Sequence, residues 1–192
     1  QDDAAGEAFD KVARILGLGY PGGPKIAEEA EKFKKRSLPA SLRLPRPMIN
    51  THDFNISFSG LKTAVLYTVK NNSKKAKNKK FIQELAFEFQ QSSVDVLIAK
   101  TLKAAKKFQP KTIMIAGGVS ANKELRQQLK ITAKTQFPKV TYTIPAMQYC
   151  VDNAAMIAIA GAYRWKKISQ KEKSRSMENW KTLSADANLK LY

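Results

Sequence analysis

Apolar residues at Ala5, Ala8, Phe9, Val12, Ile15 and Leu16 recur at helical intervals, and the pattern predicts a helix over 4–16. Gly17 and Gly19 stop it, and Tyr20-Pro-Gly-Gly-Pro24 reads as a turn. A short polar helix is expected over 26–35, then a link punctuated by Pro39, Pro45 and Pro47. Phe54-Asn-Ile-Ser-Phe58 alternates as a strand does, and a helix is expected over about 61–69. Residues 71–80 are nearly all Asn, Ser and Lys, which predicts a mobile basic linker with no means of packing. A long helix is expected over 81–108, broken near Ser92-Ser93. Beyond it the pattern alternates: strand 112–116, helix 121–135, strand 140–144, helix 153–165. The charged tail from Lys166 has no clear pattern. Alternation of strands and helices points to an α/β fold with a mainly parallel sheet covered by helices.

The chain of 192 residues suits one domain or a lobe of one. Its charge changes the picture. Thirty-four basic residues face sixteen acidic ones, a net +18, which points to a polyanion and first to nucleic acid. A solvated lysine-rich surface is the plainer account of the same number. Cys150 is the only cysteine, so an internal disulfide is ruled out and a reducing, cytoplasmic compartment is expected. The longest apolar run, 154–163, is about half a membrane span, so no membrane role is expected. Gln1-Asp-Asp reads as the middle of a longer protein.

Chemistry concentrates at two elbows. Met114-Ile-Ala-Gly-Gly-Val-Ser-Ala-Asn122 runs from an apolar segment through a glycine pair into a helix, and Tyr149-Cys-Val-Asp-Asn-Ala-Ala-Met156 opens another helix. Such elbows at strand ends are where open α/β sheets bind ligands. With Asp3-Ala-Ala-Gly-Glu-Ala-Phe-Asp-Lys11, Tyr20-Pro-Gly-Gly-Pro24 and Phe58-Ser-Gly-Leu-Lys-Thr-Ala64 they make five ordered blocks. Together these resemble the Gcp/TsaD family, in its bacterial branch, from Asp2 to about Trp165. That family makes threonylcarbamoyladenosine in tRNA.

The resemblance implies an actin-like ATPase superfamily lobe, a ribonuclease-H-like sheet flanked by helices. Residues 1–165 would be most of a second, C-terminal lobe and 166–192 a charged tail. The first lobe and the opening strands of the second, with a Ser-Gly-Gly substrate loop, are not in this sequence. The implied reaction moves threonylcarbamoyl from threonylcarbamoyl-AMP to the N6 amine of the adenosine beside the anticodon. One divalent metal, iron or zinc, is implied, together with tRNA, an inactive paralogue and a small P-loop ATPase as partners.

Residue by residue, the resemblance assigns Asp152 to the metal, with the other ligands in the first lobe. It assigns Asp10, Gly23, Gly117, Gly118 and Asn122 to the nucleotide or substrate, and names no catalytic group. Each has a plainer reading. Asp152 or Asn122 can cap a helix. Asp10 can pair with Lys11 or Arg14, and Gly23 can be a turn glycine with positive φ. Where the family carries a ribose-binding acid this chain has Ala27, so Glu28 substitutes or the contact is missing. Lys62 and Ser59 can meet phosphate or simply pack a turn. His52 alone is a poor ligand, and nothing in the sequence is placed to activate Cys150. A non-catalytic scaffold lobe and a kinase or ATPase of the same superfamily are the rival functions.

Overall fold

Thirty residues of unbroken helix organise the first part of the chain. In the computed structural model, which describes residues 2–36, 39–182 and 184, this helix runs Lys79–Phe108. The elements in order are α1 Ala5–Ile15, α2 Gly22–Lys34, α3 Ser59–Asn71, α4 Lys79–Phe108, β1 Thr112–Met114, α5 Lys123–Gln136, β2 Thr141–Thr143, α6 Ala154–Lys167 and α7 Gln170–Glu178. Short 3-10 turns fill Gly118–Ala121, Met147–Tyr149 and Asn179–Lys181. Two compact units divide the chain, residues 1–150 and 151–192. The tail boundary expected at 165/166 falls inside α6.

In the first unit α4 is buried along its length, which an amphipathic surface helix would not be. Phe81, Leu85 and Phe89 join Phe9, Val12, Ile26, Leu61 and Val65 in the main core. One turn further on, Val94 and Ile98 pack with Leu125 and Leu129 of α5. Ala105, Ile113 and Ala133 close the far end. The expected break at Ser92-Ser93 does not occur. Ser93 Oγ donates to the Phe89 carbonyl at 2.9 Å, so the hydroxyl is satisfied inside the helix. The helix ends where Gln109 takes φ 46°, a left-handed cap before Pro110.

The sheet is parallel, as expected, but has two strands among the described residues. Thr112 pairs with Thr141, Ile113 with Tyr142 and Met114 with Thr143. The strand expected at 54–58 does not form, because no described strand lies alongside to take its hydrogen bonds. Its alternation has another source: Phe58 is buried in the core, and Phe54 stacks on Phe108. The Asn/Ser/Lys stretch is a chain of hydrogen-bonded turns rather than an open linker. Lys75 N–H donates to the Asn72 carbonyl and Asn78 N–H to that of Lys75, each at 2.7 Å, and Asn78 then caps α4.

Polar side chains of α4 fasten the proline-rich link. Glu84 accepts from the Ser41 and Leu42 N–H groups. Glu88, 2% exposed at its side chain, accepts from Leu44 N–H at 3.1 Å and Arg46 Nη1 at 2.5 Å. Arg46 also pairs with Asp95 at 2.9 Å. Lys100 donates to the Thr51 hydroxyl at 2.6 Å and to the Asp53 carbonyl at 3.0 Å.

In the second unit α6 has no buried residue, and Ile157, Ile159 and Tyr163 are exposed. The tail expected to be patternless instead forms α7, opened by a capping box between Ser169 and Glu172. Residues 183 and 185–192 of that tail lie outside the described residues.

Arg46→Ala leaves Glu88 buried without its cation, and the expected loss is about 3 kcal/mol. A urea titration monitored by circular dichroism measures it, and an unchanged midpoint would show that Arg43, at 3.9 Å, replaces Arg46.

Candidate functional site

Asp10 sits two turns into α1 and Gly23 in the first turn of α2, and a short loop brings them together. Asp10 Oδ1 accepts from the Gly22 N–H at 2.7 Å, satisfying an otherwise orphaned donor at the start of α2. Asp10 thus caps a helix twelve residues away in sequence, and no ion pair with Lys11 or Arg14 forms. Lys11 pairs instead with Asp3 and Glu7, at 2.6 and 2.8 Å. The sharp steric demand falls on Gly22, which the sequence reading passed over. A Cβ there would lie 2.5 Å from Asp10 Cα. Gly23 has no positive φ, and a Cβ on it would meet nothing within 4 Å. Its reading as a positive-φ turn glycine is therefore corrected: Gly17 and Gly19, at 69° and 83°, make that turn. Asp10, Arg14, Gly17, Gly19 and the exposed Tyr20 line a cleft of about 350 Å³.

The other elbow of this unit lies along α1. A Cβ on Gly6 would be 3.8 Å from Val119 Cγ2, so the 3-10 turn rests on the first turn of α1. Gly6 and Asp10 are separated by about 6 Å along the helix axis. Gly117 adopts φ 80°, ψ 172°, which glycine alone adopts readily. Gly118 has open space where a Cβ would go. The N–H groups of Gly118 and Val119 open the turn, where no carbonyl of the turn reaches them.

Asn122 ends this turn and begins α5. Its Oδ1 accepts from Leu125 N–H at 3.0 Å, and its Nδ2 donates to Gln90 Oε1 at 2.8 Å. The capping reading therefore holds for Asn122. The amide keeps one further N–H and one lone pair for another partner. Arg126, which sequence reasoning missed, staples the elbow. It donates to the carbonyls of Ser120 and Pro145, at 2.5 and 2.7 Å, and to Cys150 Sγ at 2.8 Å. Its place one helical turn after Asn122 was the available signal.

Asp152 belongs to the second unit. It is exposed, with no hydrogen bond or ion pair among the described residues. The cap of α6 is Asn153, whose Oδ1 accepts from Met156 N–H at 3.0 Å, so the capping account of Asp152 falls away. Among the described residues no three His, Cys, Asp or Glu side chains come together as a metal site. One carboxylate does not meet the need for about three protein ligands, so this chain's residues do not by themselves fit the implied metal.

The remaining acids and Lys62 are engaged. Glu28 and Glu29 both hold Lys32 at 2.6 Å, and Glu29 also accepts from Gln83 Nε2. Lys62 pairs with Asp3 at 3.0 Å, and Asp2 accepts from Ser59 N–H at 3.0 Å, capping α3. Hydroxyls of Ser57 and Ser59 hold the Asp2 carboxyl well below its ordinary value, and the Lys11 and Lys62 ammoniums lower that of Asp3.

Gly22→Ala is expected to cost about 2 kcal/mol or more through the backbone clash, and Gly23→Ala less than about 0.5 kcal/mol. Urea midpoints compare the two. For the Asp2–Asp3 clamp the folded carboxyls titrate below the unfolded value of 3.8. Their stabilisation is therefore complete above that value and is lost as pH falls through the lower folded values. In an acid titration followed by circular dichroism, Ser59→Ala should move the unfolding midpoint to higher pH.

Comparison with known proteins agrees with these blocks. The family model described as TsaD, tRNA N6-adenosine threonylcarbamoyltransferase, matches residues 1–159. A Thermosipho africanus protein of that name is 47% identical over 190 residues, 99% of this chain and 52% of the relative. One from Thermosipho melanesiensis is 51% identical over 161 residues, 83% of this chain and 46% of its own length. One from Francisella philomiragia is 48% identical over 164 residues, 85% and 47% respectively. The chain thus spans about half the length of the curated relatives it matches. With its five blocks inside the matched region, this chain belongs to the TsaD family of tRNA N6-adenosine threonylcarbamoyltransferases.

Proposed function

We propose that this chain supplies part of the nucleotide cleft of a threonylcarbamoyl transferase acting on tRNA. The observation that carries the reading is the family match over residues 1–159, at 47–51% identity to enzymes of that name. The geometry supports it. The start of α2, capped by Asp10, and the Gly117–Gly118 elbow with Asn122 lie along one short helix, and the elbow opens with backbone N–H groups where an anion is favoured. Gly23 and Gly118 leave open space where a side chain would otherwise block a ligand's approach.

In this reading threonylcarbamoyl-AMP lies against those elbows. The N6 amine of the adenosine forms a C–N bond with the carbamoyl carbon. The bond from that carbon to phosphate oxygen breaks, AMP leaves with the electron pair, and the amine gives up a proton. In this proposal the N–H groups of Gly118 and Val119 hold phosphate oxygens. Asn122 contributes its spare N–H, and Gln90 fixes its orientation. Asp152 offers one carboxylate to a metal whose remaining ligands come from elsewhere in the enzyme. An inactive paralogue and a small P-loop ATPase are the proposed protein partners, and the cytoplasm is the proposed compartment. No helix among the described residues is long and apolar enough to cross a membrane.

The test is incorporation of radiolabelled threonine into tRNA by the assembled enzyme. Gly23→Ala should lower incorporation about tenfold or more with no change in urea midpoint, because it intrudes on ligand alone. Asp152→Asn should lower both incorporation and bound metal. Full incorporation by both variants would refute the site.

A further inference from the structure

Phe108, the last residue of α4, is 65% exposed. Its ring packs against Phe54 with centroids 5.5 Å apart and planes at 48°. Lys107 Nζ lies 5.3 Å from the Phe54 centroid and 5.4 Å from that of Phe108. Lys103 Nζ lies 5.9 Å from Phe54. Lys106, two residues before Phe108, and Lys111, three residues after it, are exposed. Between Asp95 and Glu124 the chain carries six lysines and no carboxylate.

Some lysines elsewhere meet acids, as Lys11 does Glu7, Lys32 Glu28 and Lys35 Glu31, while others, such as Lys74, Lys75 and Lys130, are exposed with no ion pair among the described residues. Lys106, Lys107 and Lys111 have no such partner among the described residues. The acid of the neighbouring loop, Asp53, is held by Thr51, Asn55 and Lys100. The helix dipole accounts for lysines in the last turn of α4. It does not account for an exposed phenyl ring among them.

We propose that this end of α4 binds unpaired RNA, with a base stacked on the outer face of Phe108 and phosphates held by Lys106, Lys107 and Lys111. The combination is that of a single-strand platform, cations tracking a backbone and a ring offering a π-face. A duplex would satisfy the lysines and leave the ring unused, because its bases are already stacked. An acidic peptide would likewise make no use of the ring. The inference rests on the tRNA-directed function proposed above and adds a second contact to it. Phe108 is eighteen residues beyond Gln90, about 27 Å along α4 from the elbow that Gln90 holds.

The test measures fluorescence anisotropy of a labelled, unstructured RNA of about twelve nucleotides, and of the same strand in a duplex, with the full chain and no acyl donor. The single strand should bind more tightly. Phe108→Ala should weaken it about tenfold, Phe108→Tyr should restore it and Phe108→Leu should not. Replacing Lys106, Lys107 and Lys111 with Gln should reduce the slope of log affinity against log salt by about two. Urea midpoints confirm that each variant is folded. Affinity indifferent to Phe108, or displacement of RNA by polyglutamate of equal charge, overturns the proposal. Failure here is separable from failure of the catalytic reading. Loss of that reading shows in threonine incorporation with RNA affinity intact, and loss of this one in RNA affinity with incorporation intact.

Discussion

A helix buried on several faces has to satisfy its own polar side chains, and that constraint governs the first unit. Along α4, the long buried polar side chains Gln83, Glu88, Gln90 and Lys100 each find a partner on a different segment, namely Glu29, the 44–46 link, Asn122 and the 51–53 loop, while Ser92 Oγ and Gln83 Oε1 have no hydrogen-bond partner among the described residues. Leaving any of the long side chains without its partner would cost more than the bond contributes when made. The loops are therefore held in place by the needs of the helix as much as by their own turn chemistry. The apolar positions between these hooks hold the elements together, and the hooks fix which loop goes where.

The helices were legible because their apolar spacing is regular, and α1, α3, α5 and α6 lie close to where the pattern puts them. What was not legible depends on partners remote in sequence. Residues 54–58 alternate like a strand, yet their rings answer to a core on one side and to Phe108 on the other. Ser92-Ser93 resembles a break, but a buried serine can bond back to its own helix. The Asn/Ser/Lys run carries no apolar pattern, and its order comes from backbone bonds that composition does not reveal.

The site residues teach the same distinction more sharply. Within one motif, Gly22 and Gly23 are indistinguishable by sequence, and only the approach of the Asp10 backbone separates them. Asn122 was read as either a cap or a ligand and Asp10 as either an ion-pair partner of Lys11 or Arg14 or a ligand, and both prove to be caps. Capping fixes their position and leaves part of their hydrogen-bonding capacity unused. Asp152 is the reverse: its neighbour Asn153 takes the capping role, so local structure gives no reason for the carboxylate.

The resting of the 3-10 turn on Gly6, with Asp10 one turn further along, makes α1 a gauge between two elbows. Their separation is set by the pitch of a single helical turn rather than by any loop. A residue inserted or removed between Gly6 and Asp10 would rotate one relative to the other by about 100°. No adjustment of neighbouring side chains could restore the register. This stretch of the chain can therefore drift by substitution but not by length, whereas the proline-rich link, fastened at separate points, can absorb a change in length between its attachments.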